Sequence, residues 1–238
     1  MKISCLVPAR NEQGRLSKLI SDIVSIEEIS EVVIIEGGSV DDTYLEALQI
    51  AGIHSEKVQV IKQPGVGKFD AVKWGAKFVN EDFLVIWDAD GTVPLDSTIA
   101  VLNHAIATNR ATVGNRLAGK MEPGAMQFFN YIGNWFFALV WSLILKNRPV
   151  DLLCGTKVLP TRIFLQLPNF IEKYDPYGDF TLLATLKAND FKIDFVPVDY
   201  EKRQYGETNI RRWSGGVQLL TTTFLVSCWF LWRRIKNE

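Results

Sequence analysis

The sequence predicts an α/β fold in which a mainly parallel sheet carries helices on both faces, and three observations lead there. Short apolar runs rich in Val and Ile, at Ile3–Val7, Val32–Ile35, Val58–Ile61 and Phe83–Trp87, alternate with stretches whose apolar residues recur at helical spacing. The run Phe83–Trp87 lacks the apolar–polar alternation of a half-exposed sheet, as a strand buried on both faces does. The 238 residues, 47% hydrophobic and 22% charged, are enough for one large or two small domains with an ordinary core.

Taken in order, the first run stops at Pro8, which has no N–H to give to a ladder. The loop Pro8-Ala9-Arg10-Asn11-Glu12 follows, and Leu16, Leu19, Ile20, Ile23 and Val24 then mark a helix. The second run leads into Glu36-Gly37-Gly38-Ser39-Val40-Asp41-Asp42-Thr43. Ser39 with Asp42 reads as a capping box for the next helix, and the paired glycines let the backbone approach a ligand. After the third run comes a turn at Gln63–Lys68 and a helix with Ala71, Trp74, Ala76 and Phe78. Gly91 and Pro94 stop the fourth run. This βαβαβαβ order sets the loops Arg10–Glu12, Glu36–Asp42 and Asp88–Asp90 on the carboxyl edge of one sheet, where open α/β sheets bind ligands.

Further along, the pattern predicts a helix over Leu95–Thr108, a strand over Ala111–Gly114 and a long apolar helix over Met126–Leu145. Asp151–Thr156 reads as a turn into a short strand, Thr161–Leu167 as a helix, and Asp179 as the opening of a helix over Phe180–Ala188. Phe191–Tyr200 reads as a strand whose Pro197 places it at an edge. Met126–Leu145 has a length of about 20 residues, close to a membrane span. Gln127, Asn130, Gly133 and Asn134 make one of its sides more polar, which favours a helix packed on the domain or lying at a bilayer surface. The last apolar stretch, Val217–Trp232, is short for a perpendicular span. Its Trp229 and Trp232 beside Arg233, Arg234 and Lys236 suit an interfacial anchor, and a core or dimer helix is the alternative. The chain thus divides into a main domain, 1–216, and a C-terminal apolar and basic helix, 217–238.

Several functions are disfavoured by composition. A formal net charge of -1 gives no positive field for nucleic acid. Cys5, Cys154 and Cys228 lie far apart, without metal-ligand spacing, and suggest a reducing compartment. His54 and His104 alone make a zinc site or a His-based triad a poor expectation. The apolar run at the N-terminus is too short for a signal peptide, so the chain is expected in the cytosol or on the cytosolic face of a membrane. No Gly-x-Gly-x-x-Gly follows the first strand, and Gly67-Lys68 is followed by Phe69 where a Walker A loop needs Ser or Thr.

The pair Asp88 and Asp90 carries the chemistry. Two carboxylates one residue apart at the end of a buried strand raise one another's pKa unless a cation neutralises them. Oxygen-only ligands select a hard ion, Mg²⁺ or Mn²⁺. A turn at Asp90-Gly91 with Asp88 as a cap would also produce this pattern.

With these residues in view, the chain resembles the family-2 glycosyltransferases of GT-A (Rossmann-like) fold. Pro8-Ala9-Arg10-Asn11-Glu12, Glu36–Thr43, Gly67-Lys68 and Asp88-Ala89-Asp90 match that family's successive signatures. Gly114-Asn115-Arg116, Asp151-Leu152-Leu153-Cys154-Gly155-Thr156-Lys157 and Arg203-Gln204-Tyr205-Gly206-Glu207-Thr208-Asn209 are similar to the polyprenyl-phosphate, dolichyl-phosphate mannosyltransferase-like branch. The likeness runs from about Ile3 to Gly216. It implies an inverting enzyme that uses a GDP- or UDP-sugar and Mg²⁺ or Mn²⁺. Pro8, Ala9, Arg10, Glu12, Glu36 and Gly38 would hold the nucleoside side of the donor, with Ala89 beside it. Asp88 and Asp90 would serve metal and diphosphate, and Arg116 and Arg203 a phosphate near the reacting centre. In departure from the family pattern, Glu36 stands for the usual Asp, Gly37 replaces a second acid, Phe69 and Asp70 follow Lys68 where glycine is common, and Thr92 replaces a glutamine.

On this reading Lys68 assists the leaving diphosphate. Asp179 is the candidate base for a hydroxyl acceptor, whereas an already ionised lipid phosphate needs only cations such as Arg116 and Arg203, with Arg211 or Arg212 as helpers. The expected partners are a nucleoside-diphosphate sugar, a polyprenyl phosphate and a membrane surface, with a homo-oligomer also open. Transfer to a glycan hydroxyl, a nucleotidyltransferase and a non-catalytic sugar-nucleotide sensor are the alternatives.

Overall fold

The protein is described from a computed structural model, which covers residues 1–145, 150–168, 174–175, 177–203 and 212–237, with the side chains of 212–215 and 237 left aside. Seven strands form one sheet: β1 Ile3–Ala9, β2 Ile29–Glu36, β3 Val58–Lys62, β4 Phe83–Ile86, β5 Ala111–Asn115, β6 Lys157–Pro160 and β7 Ile193–Pro197. Their order is β3-β2-β1-β4-β6-β5-β7. β1 pairs in parallel with β2 and β4, β2 with β3, and β5 with β7, while β6 runs antiparallel between β4 and β5. The expected α/β architecture is therefore present, and Pro197 does lie in an edge strand.

Alternate residues of each central strand feed two cores, as the period of two requires. Leu6, Val33, Ile35, Leu84 and Ile86 face one side, under the helices α3 Lys68–Gly75, α5 Phe128–Leu145, α6 Asp179–Ala188 and α7 Arg212–Asn237. Cys5, Val7, Val32, Ile34, Phe83 and Val85 face the other, under α1 Leu16–Val24, α2 Thr43–Ile53 and α4 Leu95–Thr108. Burial pushes the Cys154 thiol up to about 11, so it behaves as an inert core residue.

The structure departs from expectation at several elements. Ser39 and Asp42 make no capping box: the Ser39 hydroxyl accepts from the Asn11 amide at 3.1 Å, and Asp41 accepts from the Thr43 amide at 3.0 Å. Tertiary contact between two loops has taken the hydroxyl that a local cap would use. Thr161–Leu165 is a single 3-10 turn instead of a helix reaching Leu167. The C-terminal helix begins at Arg212, before the apolar stretch, and Leu219, Val226, Trp229 and Phe230 on it are part of the main core.

The long apolar helix packs on the domain through one face, in line with one of the two expectations. Of the polar residues in this stretch, Gln127 and Asn130 are exposed but Asn134 is not. Asn134, 3% exposed, points inward and donates to Asp151 Oδ1 at 2.8 Å, while Phe128, Phe129, Ile132, Phe136, Leu139 and Leu143 stand exposed. Phe137 and Trp141 supply the inward contact, the latter stacked on Phe180 of α6 with ring centroids 5.1 Å apart. The outer face of α7 is similar, with Val217, Leu220, Phe224, Leu231 and Trp232 exposed.

Candidate active site

The carboxyl ends of β1 to β4 lie on one edge of the sheet. Because β6 is antiparallel, the segment entering it, Gly155-Thr156, reaches the same edge. β5 and β7, parallel to each other and antiparallel to β6, deliver Arg116 and Tyr200 there as well. These loops enclose a cavity of about 550 Å³. Strand order reverses at β1 and β4, so the cavity occupies the switch point where α/β sheets bind ligands.

Most of the expected residues meet there. Pro8, Ala9, Arg10, Glu12, Lys68, Asp88, Ala89, Asp90, Arg116, Asp179 and Arg203 all line the cavity. Glu36 and Gly38 do not. Glu36 is buried, and its Oε1 accepts from the Ser39 amide at 2.5 Å, holding the second loop in shape. Its neighbour Gly37 faces the cavity and packs against the first loop, where an added Cβ would lie 3.3 Å from Arg10 Cβ. The two loops are stapled together: the Val40 amide donates to Asn11 Oδ1 at 3.0 Å, and the Glu12 amide to Thr43 Oγ1 at 2.8 Å. Arg211 and the motif Gln204–Asn209 lie outside the described residues, as does the Arg212 side chain.

Charge in the cavity is arranged in pairs. The Lys68 ammonium contacts Asp88 Oδ1 directly. Burial alone would raise the Asp88 pKa, but the lysine overrides it and holds the carboxyl below its usual range. Asp90 Oδ1 accepts from the Thr92 amide at 3.1 Å and from the Thr92 hydroxyl at 2.8 Å. Arg203 Nη2 bridges Glu12 Oε1 at 3.0 Å and Asp90 Oδ2 at 3.5 Å. Burial nevertheless keeps the Glu12 carboxyl above its ordinary value, against the opposing pull of Arg203 and Arg15. Asp179 Oδ1 accepts from Lys157 Nζ at 2.5 Å, and that lysine is fully enclosed and also donates to the Cys154 carbonyl.

Arg116 is held by both a carboxylate and an aromatic ring. Its Nε and Nη2 fork onto Asp151 at 2.5 and 2.9 Å, and its guanidinium lies over the Tyr200 ring, 4.9 Å from the centroid. Asp151 is fully buried. Burial would raise its pKa, but Arg116 prevails and lowers it.

Sequence reasoning gave no role to Tyr177, Tyr200 and Gln218, and quoted Gly155 only as part of a motif, yet all four line the cavity. The role of Gly155 could have been read, since a glycine just ahead of a strand often marks close approach. A Cβ there would overlap Asp88 Oδ2 and Lys68 Nζ. The two tyrosines and Gln218 carry no local signal.

Among the described residues no cluster of three or more His, Cys, Asp or Glu surrounds a point. The pair Asp88 and Asp90 still suits a hard ion of the Mg²⁺ type, which takes one or two carboxylates and fills its remaining positions with water and substrate phosphate. That both carboxylates already draw side-chain cations shows the negative charge concentrated there.

A seven-stranded sheet with paired aspartates at its switch point places the cavity where α/β scaffolds bind ligands. Residues 4–151 match the family described as Glycosyl transferase family 2, and the chain belongs to that family. It is similar to Glycosyltransferase AglJ of Haloferax volcanii, with 29% identity over 211 residues, spanning 87% of this chain and 66% of that protein. In fold it resembles glucosyl-3-phosphoglycerate synthase from Mycobacterium tuberculosis, solved with Mn²⁺, UDP-glucose and phosphoglyceric acid. That likeness has a TM-score of 0.67 and 15% identity, over 94% of this chain and 80% of the other. A further mycobacterial protein gives a TM-score of 0.70 at 14% identity, over 94% of this chain and 74% of that one.

Proposed function

We propose that this chain is an inverting glycosyltransferase that moves a sugar from a nucleoside-diphosphate sugar, GDP- or UDP-linked, to a polyprenyl phosphate at the cytoplasmic surface of a membrane. The observation that carries the acceptor assignment is the Arg116–Asp151 fork at one wall of a cavity that reaches Ala125, just ahead of α5, and Gln218 on α7. Both helices turn apolar side chains outward. A phosphate headgroup could sit against Arg116 while its chain lies along an apolar surface continuous with the bilayer. Arg233, Arg234 and Lys236, stacked over Trp229, Phe230 and Trp232, add a cationic, aromatic end to α7 suited to an interface.

In the reaction the bond from the anomeric carbon to the donor diphosphate breaks, and an acceptor phosphate oxygen bonds to the opposite face of that carbon. An ionised phosphate needs no base, so Asp179, engaged by Lys157, serves to position groups. Asp88 and Asp90 would hold Mg²⁺ or Mn²⁺, which when bound supplies Lewis-acid neutralisation of the leaving diphosphate. The pyrimidine or purine end would rest against Pro8, Ala9, Arg10 and Glu12. Family membership supports glycosyl transfer, and the fold-mate solved with Mn²⁺ and UDP-glucose supports a metal-assisted sugar-nucleotide reading.

The test is transfer of radiolabel from a panel of nucleoside-diphosphate sugars into organic-extractable polyprenyl phosphate, with and without Mn²⁺, for wild type and Asp90→Asn. Metal-dependent lipid labelling that Asp90→Asn abolishes is expected. Donor hydrolysis without lipid labelling would move the acceptor to a hydroxyl and make Asp179 the base to mutate.

A further inference from the structure

We propose that Lys68 is the resident counter-ion of Asp88, and that a divalent ion gains this carboxylate only by displacing the ammonium, so that metal enters the site together with the donor diphosphate. The inference rests on reading the site as a metal-assisted donor site. It concerns what that site does before donor arrives.

Lys68, which lines the cavity, and Lys157, buried behind Asp179, differ in freedom. Lys157 is 0% exposed and fixed between Asp179 and the Cys154 carbonyl. Lys68 sits at the first position of α3, with its side chain 31% exposed, and lines the cavity that a diphosphate would fill. A lysine is a compact charge on a flexible stem. Lys68 can therefore rotate off Asp88 onto a neighbouring anion without disturbing the fold, whereas Lys157 cannot.

The surroundings of Asp88 make the competition direct. Lys68 takes Oδ1, and the carboxylate packs so closely over Gly155 that no side chain fits at that position. Asp90 has Oδ1 engaged by Thr92 and Oδ2 facing Arg203. An incoming ion therefore meets a pair of carboxylates already balanced by Lys68 and Arg203. Metal alone must separate the Lys68–Asp88 pair and leave the ammonium only Asp179, already engaged by Lys157, and Asp90, which the metal would share. Metal with diphosphate offers that ammonium a new anion. Affinities of metal and diphosphate then rise together, as linkage requires.

The experiment is a Mn²⁺ titration of the full chain without nucleotide, followed by the electron paramagnetic resonance signal of free Mn²⁺. It compares wild type, Lys68→Met, Asp88→Asn and the double variant. Lys68→Met should bind Mn²⁺ about tenfold tighter than wild type, and the same change in the Asp88→Asn background should alter binding less than about twofold. Lys68→Arg, which keeps the charge, should bind as weakly as wild type. Thermal melts establish that each variant is folded, and Lys68→Gln carries the comparison if Lys68→Met does not fold. Unchanged Mn²⁺ affinity in Lys68→Met, or equal tightening with and without Asp88, overturns the proposal. If sugar transfer by wild type is Mn²⁺-dependent in that event, the site assignment stands and only the competition falls. If no variant binds Mn²⁺ and transfer ignores chelator, both fall.

Discussion

Asp151 is the residue through which three parts of the molecule communicate. It forks onto Arg116, accepts from Asn134 of α5, and its own amide donates to Asn115 Oδ1 at 3.3 Å. Asp151→Ala would leave a nearly enclosed guanidinium without its counter-charge. Breaking a buried pair from one side costs about 3–5 kcal/mol, and that loss should appear in chemical denaturation. The pH dependence follows from the lowered Asp151 pKa. The stabilisation is fully present above the ordinary aspartate value of about 3.9 and disappears as pH falls through the lower folded value. Wild-type stability should thus fall more steeply than that of Asp151→Ala in this acid range. Gly155 gives a second prediction at this scale. Gly155→Ala forces the Lys68–Asp88 pair out of position, so nucleotide binding measured by calorimetry should drop at least about tenfold, with a stability cost of about 1–3 kcal/mol for overpacking. At this scale the sequence exposed the acids well. Asp88 and Asp90 were legible because two carboxylates ending an apolar run are locally unusual. Tyr200 was not, because its partner Arg116 lies far away in sequence and nothing local announces a cation over its ring.

At the scale of elements, α5 shows how a helix can be legible in extent while its orientation is left to the tertiary structure. Its length was legible within two residues at the N-terminal end. Its polar residues make one side more polar, yet Asn134 on that side is consumed by a buried carboxylate while several apolar side chains face out. Periodicity locates a stripe, but only the partner decides whether the stripe points inward. Phe129 and Leu139 are 77% and 61% exposed. Phe129→Ser with Leu139→Ser should change unfolding free energy by only about 0.5 kcal/mol per site, as surface substitutions do. Cosedimentation with anionic lipid vesicles should nevertheless fall several-fold if this face rests on a bilayer. α6 is positioned by a different device. Asp175, whose carboxyl burial pushes upward, accepts from the Gly178 amide at 2.9 Å and the Thr181 amide at 3.0 Å. These bonds satisfy free donors at the helix start and set Asp179 toward the cavity.

For the whole molecule, the deciding fact is that one sheet edge gathers loops from the entire chain. Residues from Pro8 to Gln218 share one cavity, so the site depends on both ends of the sequence. The C-terminal helix therefore belongs to the site as well as to the core. Leu219, Val226, Trp229 and Phe230 are buried on it, and each large apolar side chain contributes about 1.5–3 kcal/mol on burial. Deleting 217–238 should abolish a cooperative thermal transition in calorimetry, because that loss rivals the whole stability of a typical domain. Treating the intact chain with chelator should leave the melt unchanged but abolish metal-dependent nucleotide binding, since the carboxylates are already balanced by Lys68 and Arg203.

The sequence by itself determined the α/β class, the parallel core of four strands and the acidic pair at its edge. Those features rest on local periodicity and on the short-range sterics of Gly and Pro, which act within a few residues. The tertiary structure alone decided that β6 enters antiparallel and brings Gly155 beneath Asp88, that Lys68 closes on that carboxylate, and that Asn134 turns away from water toward Asp151. Each depends on a partner distant in the chain. Electrostatic pairing and burial are properties of neighbours in space, and only folding supplies those neighbours.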